Sequence, residues 1–239
     1  MKTLFLLLML LFGFCGLVMA ENCSKATLNG AYGFYRVGYK GNGRLTAVGI
    51  TNYDGNGNAE SNEEVKSDDK LSLQKIHSKL DVHADCTFNG FLDGKQTTHG
   101  VIANNGNRIF FLDTTAGNTI YGVAERINQT NCSDASLNGA KAFYRVGEGL
   151  SGPLAAVGIQ IRDDKGNSES KQRISRNGKL EFQQLTTKAQ VHSDCTYDVF
   201  LDGVRITRGV IVDTGNRTFA MNVPAGNSII VVGENINSN

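Results

Sequence analysis

Short runs of β-branched and aromatic residues alternate along the chain with clusters of Gly, Asn and Asp. Alternation of apolar and polar residues within a run is typical of a half-buried strand, and the clusters between runs are typical of turns. Beyond the first 20 residues, no stretch shows the sustained period of a long helix. The pattern therefore predicts an all-β protein. In the first half of the chain the predicted strands are residues 31–37, 45–53, 59–66, 71–82, 87–92, 95–103, 108–113 and 119–127.

The strand pattern occurs twice. Residues 82–87 (Val-His-Ala-Asp-Cys-Thr) reappear 109 positions later as residues 191–196 (Val-His-Ser-Asp-Cys-Thr). Residues 22–128 align with 131–237 without a gap, and about half of the positions are identical. We therefore expect two like domains, residues 21–128 and 131–239, joined by a very short polar linker at 129–130.

Short connections favour hairpins between successive strands. Asp93 and Gly94 form a two-residue loop of the kind that a type I′ turn prefers, and Asn177 with Gly178 forms another in the second half. Eight strands joined in this way suit a barrel better than a sandwich, and closure also removes exposed strand edges. We predict two tandem eight-stranded antiparallel up-and-down β-barrels.

A comparison of the two copies suggests which side chains face inward. In the seventh strand Phe110 and Leu112 correspond to Phe219 and Met221. The intervening Ile109 and Phe111 correspond instead to Thr218 and Ala220. Because strand residues alternate between faces, we expect the better matched pair to point into the barrel and the other pair to point outward.

Four cysteines follow the first 20 residues, and four cysteines allow three disulfide pairings. Only one pairing treats both copies alike. It joins Cys23 to Cys86 and Cys132 to Cys195, and each pair spans 63 positions. Closing a loop of that size stabilises the fold by roughly 4 kcal/mol in the entropic description. A zinc site is the alternative, but two cysteines and one nearby histidine in each copy provide too few ligands.

The N-terminus resembles a secretory signal peptide, residues 1–20. A minimal basic start precedes an almost wholly apolar run, and Val18 and Ala20 occupy the two positions that a signal peptidase reads. The run is too short for a stable membrane span, and no other run is long enough for a transmembrane segment. A lipid anchor on Cys15 is the alternative, although Phe14 is large for that signal. We expect a secreted or periplasmic protein.

Charge is nearly balanced, with 24 basic and 23 acidic residues. Nucleic-acid-binding proteins normally carry a basic stripe and excess positive charge, and neither is present in this sequence. We therefore expect no nucleic-acid partner.

Arg36 and Glu125 recur in the second copy as Arg145 and Glu234. The first and last strands of a closed barrel are neighbours, so each arginine and glutamate could meet. Inside a barrel the arginine and the glutamate must neutralise each other, because an unpaired buried charge is costly. The pair could hold the closing seam in register, orient the polar head of a ligand, or supply a catalytic acid or base. These four residues are the candidate ligand-binding positions.

His83 and His192 lie three residues before a cysteine and could suggest a cysteine nucleophile with its base. Because the predicted disulfides occupy both cysteines, we interpret each histidine as a turn or strand-end residue. Residues 54–58 (Asp-Gly-Asn-Gly-Asn) resemble the start of a calcium loop, but the later ligand positions do not fit and a hairpin turn is favoured. We predict no catalytic residues, no metal and no cofactor.

One resemblance rests on residues 28–34 (Leu-Asn-Gly-Ala-Tyr-Gly-Phe), 47–50 (Ala-Val-Gly-Ile), 54–58 and 85–87 (Asp-Cys-Thr), and it extends over both copies. The sequence resembles exported bacterial proteins of unassigned function, whose domains are similar to the barrels of allene oxide cyclases and dirigent proteins. The resemblance implies a small barrel. It implies no substrate, because one barrel fold supports many unrelated functions.

The favoured hypothesis is a non-catalytic binding module for a small apolar or amphipathic ligand. An eight-stranded barrel is just wide enough for one small ligand or for side chains alone. The alternatives are a structural or interaction protein of the cell envelope with filled barrels, whose partner is an envelope protein, and a cyclase-like barrel enzyme.

Overall fold

The computed structural model describes residues 22–236, so the predicted signal peptide lies outside the described residues. The first eight strands are β1 Asn29–Lys40, β2 Gly43–Asp54, β3 Asn58–Ser67, β4 Lys70–Val82, β5 Thr87–Leu92, β6 Lys95–Ala103, β7 Arg108–Asp113 and β8 Asn118–Arg126. The second eight are β9 Gly139–Gly149, β10 Gly152–Arg162, β11 Asn167–Arg176, β12 Lys179–Val191, β13 Thr196–Leu201, β14 Val204–Val212, β15 Arg217–Asn222 and β16 Ser228–Asn235. Short 3₁₀ helices are formed by Lys25–Thr27, Asp134–Leu137 and Asp213–Gly215. Within the described residues no helix is long and apolar enough to cross a membrane.

Each set of eight strands closes into a barrel. Every strand pairs antiparallel with the next one in sequence, β8 pairs with β1, and β16 pairs with β9. We call β1–β8 barrel 1 and β9–β16 barrel 2. The prediction of two tandem eight-stranded antiparallel up-and-down barrels is confirmed, and the predicted strands differ from the observed ones only near their ends.

The hairpin turns have the backbone that their residues indicated. Asp93 and Gly94 have φ values of +49° and +76°, and Asn177 and Gly178 have +47° and +78°. Both central residues of a type I′ turn need positive φ, which Gly adopts freely and Asn and Asp tolerate. These local preferences set where each strand reverses.

The disulfides are Cys23–Cys86 and Cys132–Cys195, as predicted. Each ties the segment before the first strand of its barrel to the turn between the fourth and fifth strands. Disulfides of this kind indicate an oxidising, extracellular-type environment.

One end of barrel 1 is plugged at the level of its disulfide. Leu28 and Tyr32 are fully buried there against Ile109, and the Tyr32 hydroxyl donates a hydrogen bond to the Gly106 carbonyl oxygen. In barrel 2 the residue equivalent to Tyr32 is Lys141. Its Nζ donates to the Gly215 carbonyl oxygen at 2.6 Å, which is the equivalent acceptor. The two barrels thus make the same closure with different side chains.

The prediction of side-chain direction in the seventh strand is wrong. Ile109 is fully buried in the core of barrel 1, and Phe111 packs against that core, whereas Phe110 and Leu112 are exposed on the outside. In barrel 2 the outward positions are Phe219 and Met221, which are buried against barrel 1 instead. The match between Phe110 and Phe219 therefore marks the outer surface of the barrel.

The two barrels pack through these outer surfaces. Barrel 1 contributes Tyr35 from β1 and Val48 and Ile50 from β2. Barrel 2 contributes Val210, Val212, Phe219, Met221, Ile230 and Val232 from β14–β16. The Tyr35 and Phe219 rings meet edge to face with centroids 5.1 Å apart, which adds to the apolar area removed from water.

Candidate functional site in the first barrel

A cavity of about 380 Å³ occupies the interior of barrel 1. Near the plugged end its wall is formed by Phe34, Phe88 and Phe111, which point inward from three strands. At the opposite end, where the hairpins lie, Lys40 and Asp113 are among the polar residues that line it. The cavity therefore has an aromatic wall near the plugged end and polar residues toward the opposite end.

An ion pair lies inside this cavity. Arg36 on β1 donates from Nε to Glu63 Oε2 at 2.9 Å and from Nη2 to Glu63 Oε1. The Glu63 side chain is 1 % exposed, so its charge depends on this partner. A two-point contact between a guanidinium and a carboxylate is the strongest form of such a pair and fixes the orientation of both groups.

Arg36 reaches Glu63 across an intervening strand. The inward positions of β2 at this level are Ala47 and Gly49, the smallest residues available. A Cβ on Gly49 would lie 2.7 Å from Glu63 Cα, so a larger residue there would displace β3. Small residues on β2 thus create the space in which the pair forms.

Glu125 is not the partner of Arg36, which corrects the predicted meeting of these two residues. In the β1–β8 register Arg36 lies opposite Gly122, and Glu125 lies opposite Gly33, on the outer face. Glu125 there accepts hydrogen bonds from Arg108 of barrel 1 and Arg217 of barrel 2.

The equivalent residues of barrel 2 are also separated. Arg145 points inward, and its Nη1 lies 3.4 Å from Gln172 Oε1. Gln172 occupies the position of Glu63, so this arginine has an amide where Arg36 has a carboxylate. Burial, followed by the charge of Arg176, lowers the pKa of Arg145. Glu234 is largely exposed on the outside and is bound by Arg217.

Glu63 is the site residue that sequence reasoning missed. The alternation along β3 is the signal that could have identified it. Ser61, Glu63 and Val65 alternate with outward residues and point into the barrel lumen. Glu63 is Gln172 in the second copy, so a comparison of the two copies does not single out this position.

The histidines lie in turns beside the disulfides. His83 N donates to the Thr87 carbonyl oxygen at 2.9 Å, and Cys86 N donates to the His83 carbonyl oxygen at 3.0 Å. His192 occupies the same turn and contacts Asp198 Oδ2 at 3.0 Å. Both neighbouring sulfurs are in disulfides, so neither can act as a thiolate nucleophile.

Residues 54–58 form the β2–β3 hairpin turn. Asp54 Oδ1 accepts hydrogen bonds from the backbone N–H groups of Asn56 at 2.8 Å and Asn58 at 2.9 Å. The side-chain and backbone hydrogen bonds from Asn58 and Asn56 lower the pKa of Asp54 to about 2. Within residues 22–236, no group of three or more His, Cys, Asp or Glu residues is arranged to hold a metal ion.

No protein-family model matches the chain, and no curated protein matches it. Among solved structures, the chain is similar to a protein of unknown function of the DUF3598 family from Nostoc punctiforme. The two share 11 % identity with a TM-score of 0.29, over 90 % of this chain and 100 % of the other. At that TM-score the similarity carries no argument about function. The barrels fit the small barrel that the sequence resemblance implies, while the link to allene oxide cyclases and dirigent proteins stays a hypothesis.

Proposed function

We propose that barrel 1 binds one small amphipathic molecule in its lumen and performs no chemistry of its own. The observation that carries this proposal is the cavity with its internal ion pair. A volume of about 380 Å³ falls within the range of small-molecule sites, roughly 300 to 1,000 Å³. An apolar wall with a few fixed polar groups is the usual composition of such sites.

The chemistry of the lumen favours a neutral polar head group over an ion. Arg36 and Glu63 already neutralise each other, and an added charge would have to be desolvated without a free partner. Guanidinium has five N–H donors, and Glu63 takes up only two of them. The remaining donors suit a carbonyl, hydroxyl or ether oxygen, with the apolar part of the ligand against the aromatic wall.

Two measurements test this proposal. Native mass spectrometry of the protein purified from its own host should show an adduct of a small molecule. Titration with N-phenyl-1-naphthylamine, a neutral apolar fluorophore, should show saturable binding at one site per chain. If the host protein carries no adduct and the fluorophore does not saturate, the proposal is wrong.

A lumen variant localises the binding. Gly90 lines the cavity, and its equivalent in barrel 2 is Val199, so Gly90→Val inserts the side chain that the other barrel already carries. We expect at least about tenfold weaker fluorophore binding, since added methyl groups occupy ligand space. His77→Val, on the exposed outside of β4, is the matched control and should bind like the wild type. Equal binding by all three proteins would place the fluorophore outside the lumen.

The envelope-protein alternative is favoured by one observation, the exposed apolar residues on the outside of both barrels, such as Phe110 and Val157. The cavity in barrel 1 argues against its filled-barrel form. A cyclase-like enzyme has less support, because both oxygens of Glu63 are held by Arg36.

A further inference from the structure

Each barrel carries two apolar outer faces, and within residues 22–236 one face of each kind is buried in the contact between the barrels. Face A is the outer side of the first two strands of a barrel, and face B is the outer side of its last three strands. Face A consists of Tyr35, Val37, Val48 and Ile50 in barrel 1 and of Tyr144, Val146, Val157 and Ile159 in barrel 2. Face B consists of Val101, Phe110, Leu112 and Tyr121 in barrel 1 and of Val210, Phe219, Met221 and Ile230 in barrel 2.

Face A of barrel 1 is packed against face B of barrel 2. Within residues 22–236 the other two faces are largely exposed, and only the edge of face A in barrel 2 touches barrel 1, where Tyr144 contacts Tyr35. On face B the exposed fraction of Phe110 is 46 %, against 2 % for the equivalent Phe219. On face A the exposed fraction of Val157 is 62 %, against 2 % for Val48. Contiguous apolar patches of this kind mark interaction sites.

We propose that a second copy of this chain covers these faces. Face B of barrel 1 in one copy docks on face A of barrel 2 in the next, in the register that the two barrels already use within the chain. The occupant is argued from the repeat itself, because each open face is the counterpart of a face that the same contact buries elsewhere in the molecule.

Charge supports this docking. Within the chain, Arg217 of barrel 2 donates to Glu125 of barrel 1 across the contact. The equivalent residues are Arg108 in barrel 1 and Glu234 in barrel 2. Both are present, so docking in the same register brings an arginine of one copy to a glutamate of the next.

Side-chain size also supports it. Within the chain, Gly33 lies under Val212, and a Cβ on Gly33 would come within 2.5 Å of a Val212 methyl group. At the open faces the equivalent residues are Ala142 and Ala103. Ala142 has one methyl group more than Gly33. In the same register it faces Ala103, which lacks the γ-methyl groups of Val212. The second neighbour of Gly33, Val210, remains a valine as Val101, and its two methyl groups lie 2.7 and 2.9 Å from a Cβ built on Gly33. Docking therefore requires the two open faces to lie further apart at this point than their counterparts do within the chain.

The contact between copies has fewer ion pairs than the contact within the chain. Glu64 of barrel 1 accepts from Arg205 Nη2 at 2.6 Å. At the open faces the equivalent residues are Arg173 and Gln96, which neither pair nor repel. The association is therefore expected to be weaker than the contact between the covalently linked barrels.

Faces A and B of one barrel diverge by an angle that suits a small ring. Neighbouring strands lie about 45° apart around an eight-stranded barrel, and the two faces are centred about 2.5 strands apart, which gives about 110°. The angle between the two contacts of each barrel is about 90° in a closed ring of four barrels and about 120° in a ring of six. A head-to-tail contact that closes yields a ring. We therefore expect two or three chains in a closed ring.

Sedimentation equilibrium and native mass spectrometry of residues 21–239 test the proposal. The wild type is expected to form a dimer or trimer in the micromolar range. Phe110→Glu on face B and Ile159→Glu on face A should each remove the oligomer, with a dissociation constant at least about 100-fold weaker. Leu73→Glu is the control, since Leu73 is an exposed leucine of β4 outside both faces. If either face variant misfolds by circular dichroism, Leu112→Lys and Val157→Lys replace the pair.

Mixing the two variants distinguishes head-to-tail docking from other contacts. Phe110→Glu keeps face A intact and Ile159→Glu keeps face B intact, so an equimolar mixture should form a 1:1 heterodimer and nothing larger. A monomeric wild type at 100 µM, loss of the oligomer in only one variant, or no heterodimer in the mixture would each overturn the proposal. An open filament that both variants abolish would support the docking and overturn ring closure.

Discussion

Phe110 in barrel 1 and Phe219 in barrel 2 occupy the same place in their repeats, and their surroundings differ almost completely. Phe110 is on an open surface, whereas Phe219 is buried between the barrels. The same holds in reverse for Val48, which is buried, and Val157, which is open. A residue that is apolar in both copies therefore shows that the face is apolar. Whether the face is buried depends on what packs against it in each barrel.

The interiors differ in charge. Barrel 1 pairs Arg36 with Glu63, whereas barrel 2 places Arg145 beside the neutral Gln172. Barrel 1 also has Gly90 where barrel 2 has Val199. The first interior is balanced and contains a cavity, and the second carries a positive charge with a weaker partner. We therefore expect the two barrels to differ in ligand binding, and variants at matched positions should show this difference.

The largest expected contrast lies at the barrel contact. Phe219→Ala should lower the free energy of unfolding by about 4 kcal/mol, because it leaves a cavity in a closely packed contact. Phe110→Ala, at the equivalent exposed position, should cost less than about 1 kcal/mol. Urea unfolding at submicromolar concentration, where association between chains is minimal, measures both. Equal costs would mean that the two faces are alike.

The ion pair gives the next contrast. Arg36→Met leaves the Glu63 carboxylate buried without its partner and should cost about 3 kcal/mol. Arg145→Met removes a buried charge that has no carboxylate partner within residues 22–236, and it should leave stability unchanged or raise it. The double variant Arg36→Met with Glu63→Met should regain at least half of the loss. Thermal unfolding of all three proteins checks this, and a destabilising Arg145→Met would contradict it.

Lys141 adds a pH-dependent contrast at the plugged ends. Burial, followed by the charge of Arg162, lowers its pKa to about 8, whereas a lysine in the unfolded chain titrates near 10.4. Between these values the unfolded chain binds more protons than the folded one. The free energy of unfolding therefore rises by about 2 to 3 kcal/mol as the pH increases from about 8 to about 10.4, and this contribution levels off below pH 8.

Lys141→Met should lack that rise, so its stability relative to the wild type should decline from pH 8 to 10. Urea midpoints measured across this range check the effect. Lys171→Met, at an exposed lysine of β11, is the control and should track the wild type at every pH. A parallel pH profile for Lys141→Met would show that the amine keeps an ordinary pKa.

The strands and turns could be predicted because their signals are local. Asp93 with Gly94 sets a reversal through backbone preference alone, and the cysteine spacing fixed the disulfides through the symmetry of the repeat. The direction of Phe110 could not be predicted in this way. Its apolar character is explained by an outer face, and only the three-dimensional packing of Phe219 reveals that such a face exists.

The candidate site was half predictable. Arg36 was identified, but Glu63 was not, because its partner lies two strands away and the pairing depends on the register of β1, β2 and β3. Adjacent first and last strands suggested Glu125 instead. The first and last strands of the barrel are indeed neighbours, but Glu125 projects from the outer side of β8.

The smallest expected effect is one on which the barrels should agree. Gly94 and Gly203 have φ values of +76° and +77°, and nothing lies within 4 Å of a Cβ added at either. Alanine at each site therefore encounters only backbone strain, which costs about 1 kcal/mol. Urea unfolding of Gly94→Ala and Gly203→Ala should give equal losses. A difference above about 0.5 kcal/mol would mean that the turns, too, sense the assembly around each barrel, and the contrast between the copies would then extend beyond their faces and interiors.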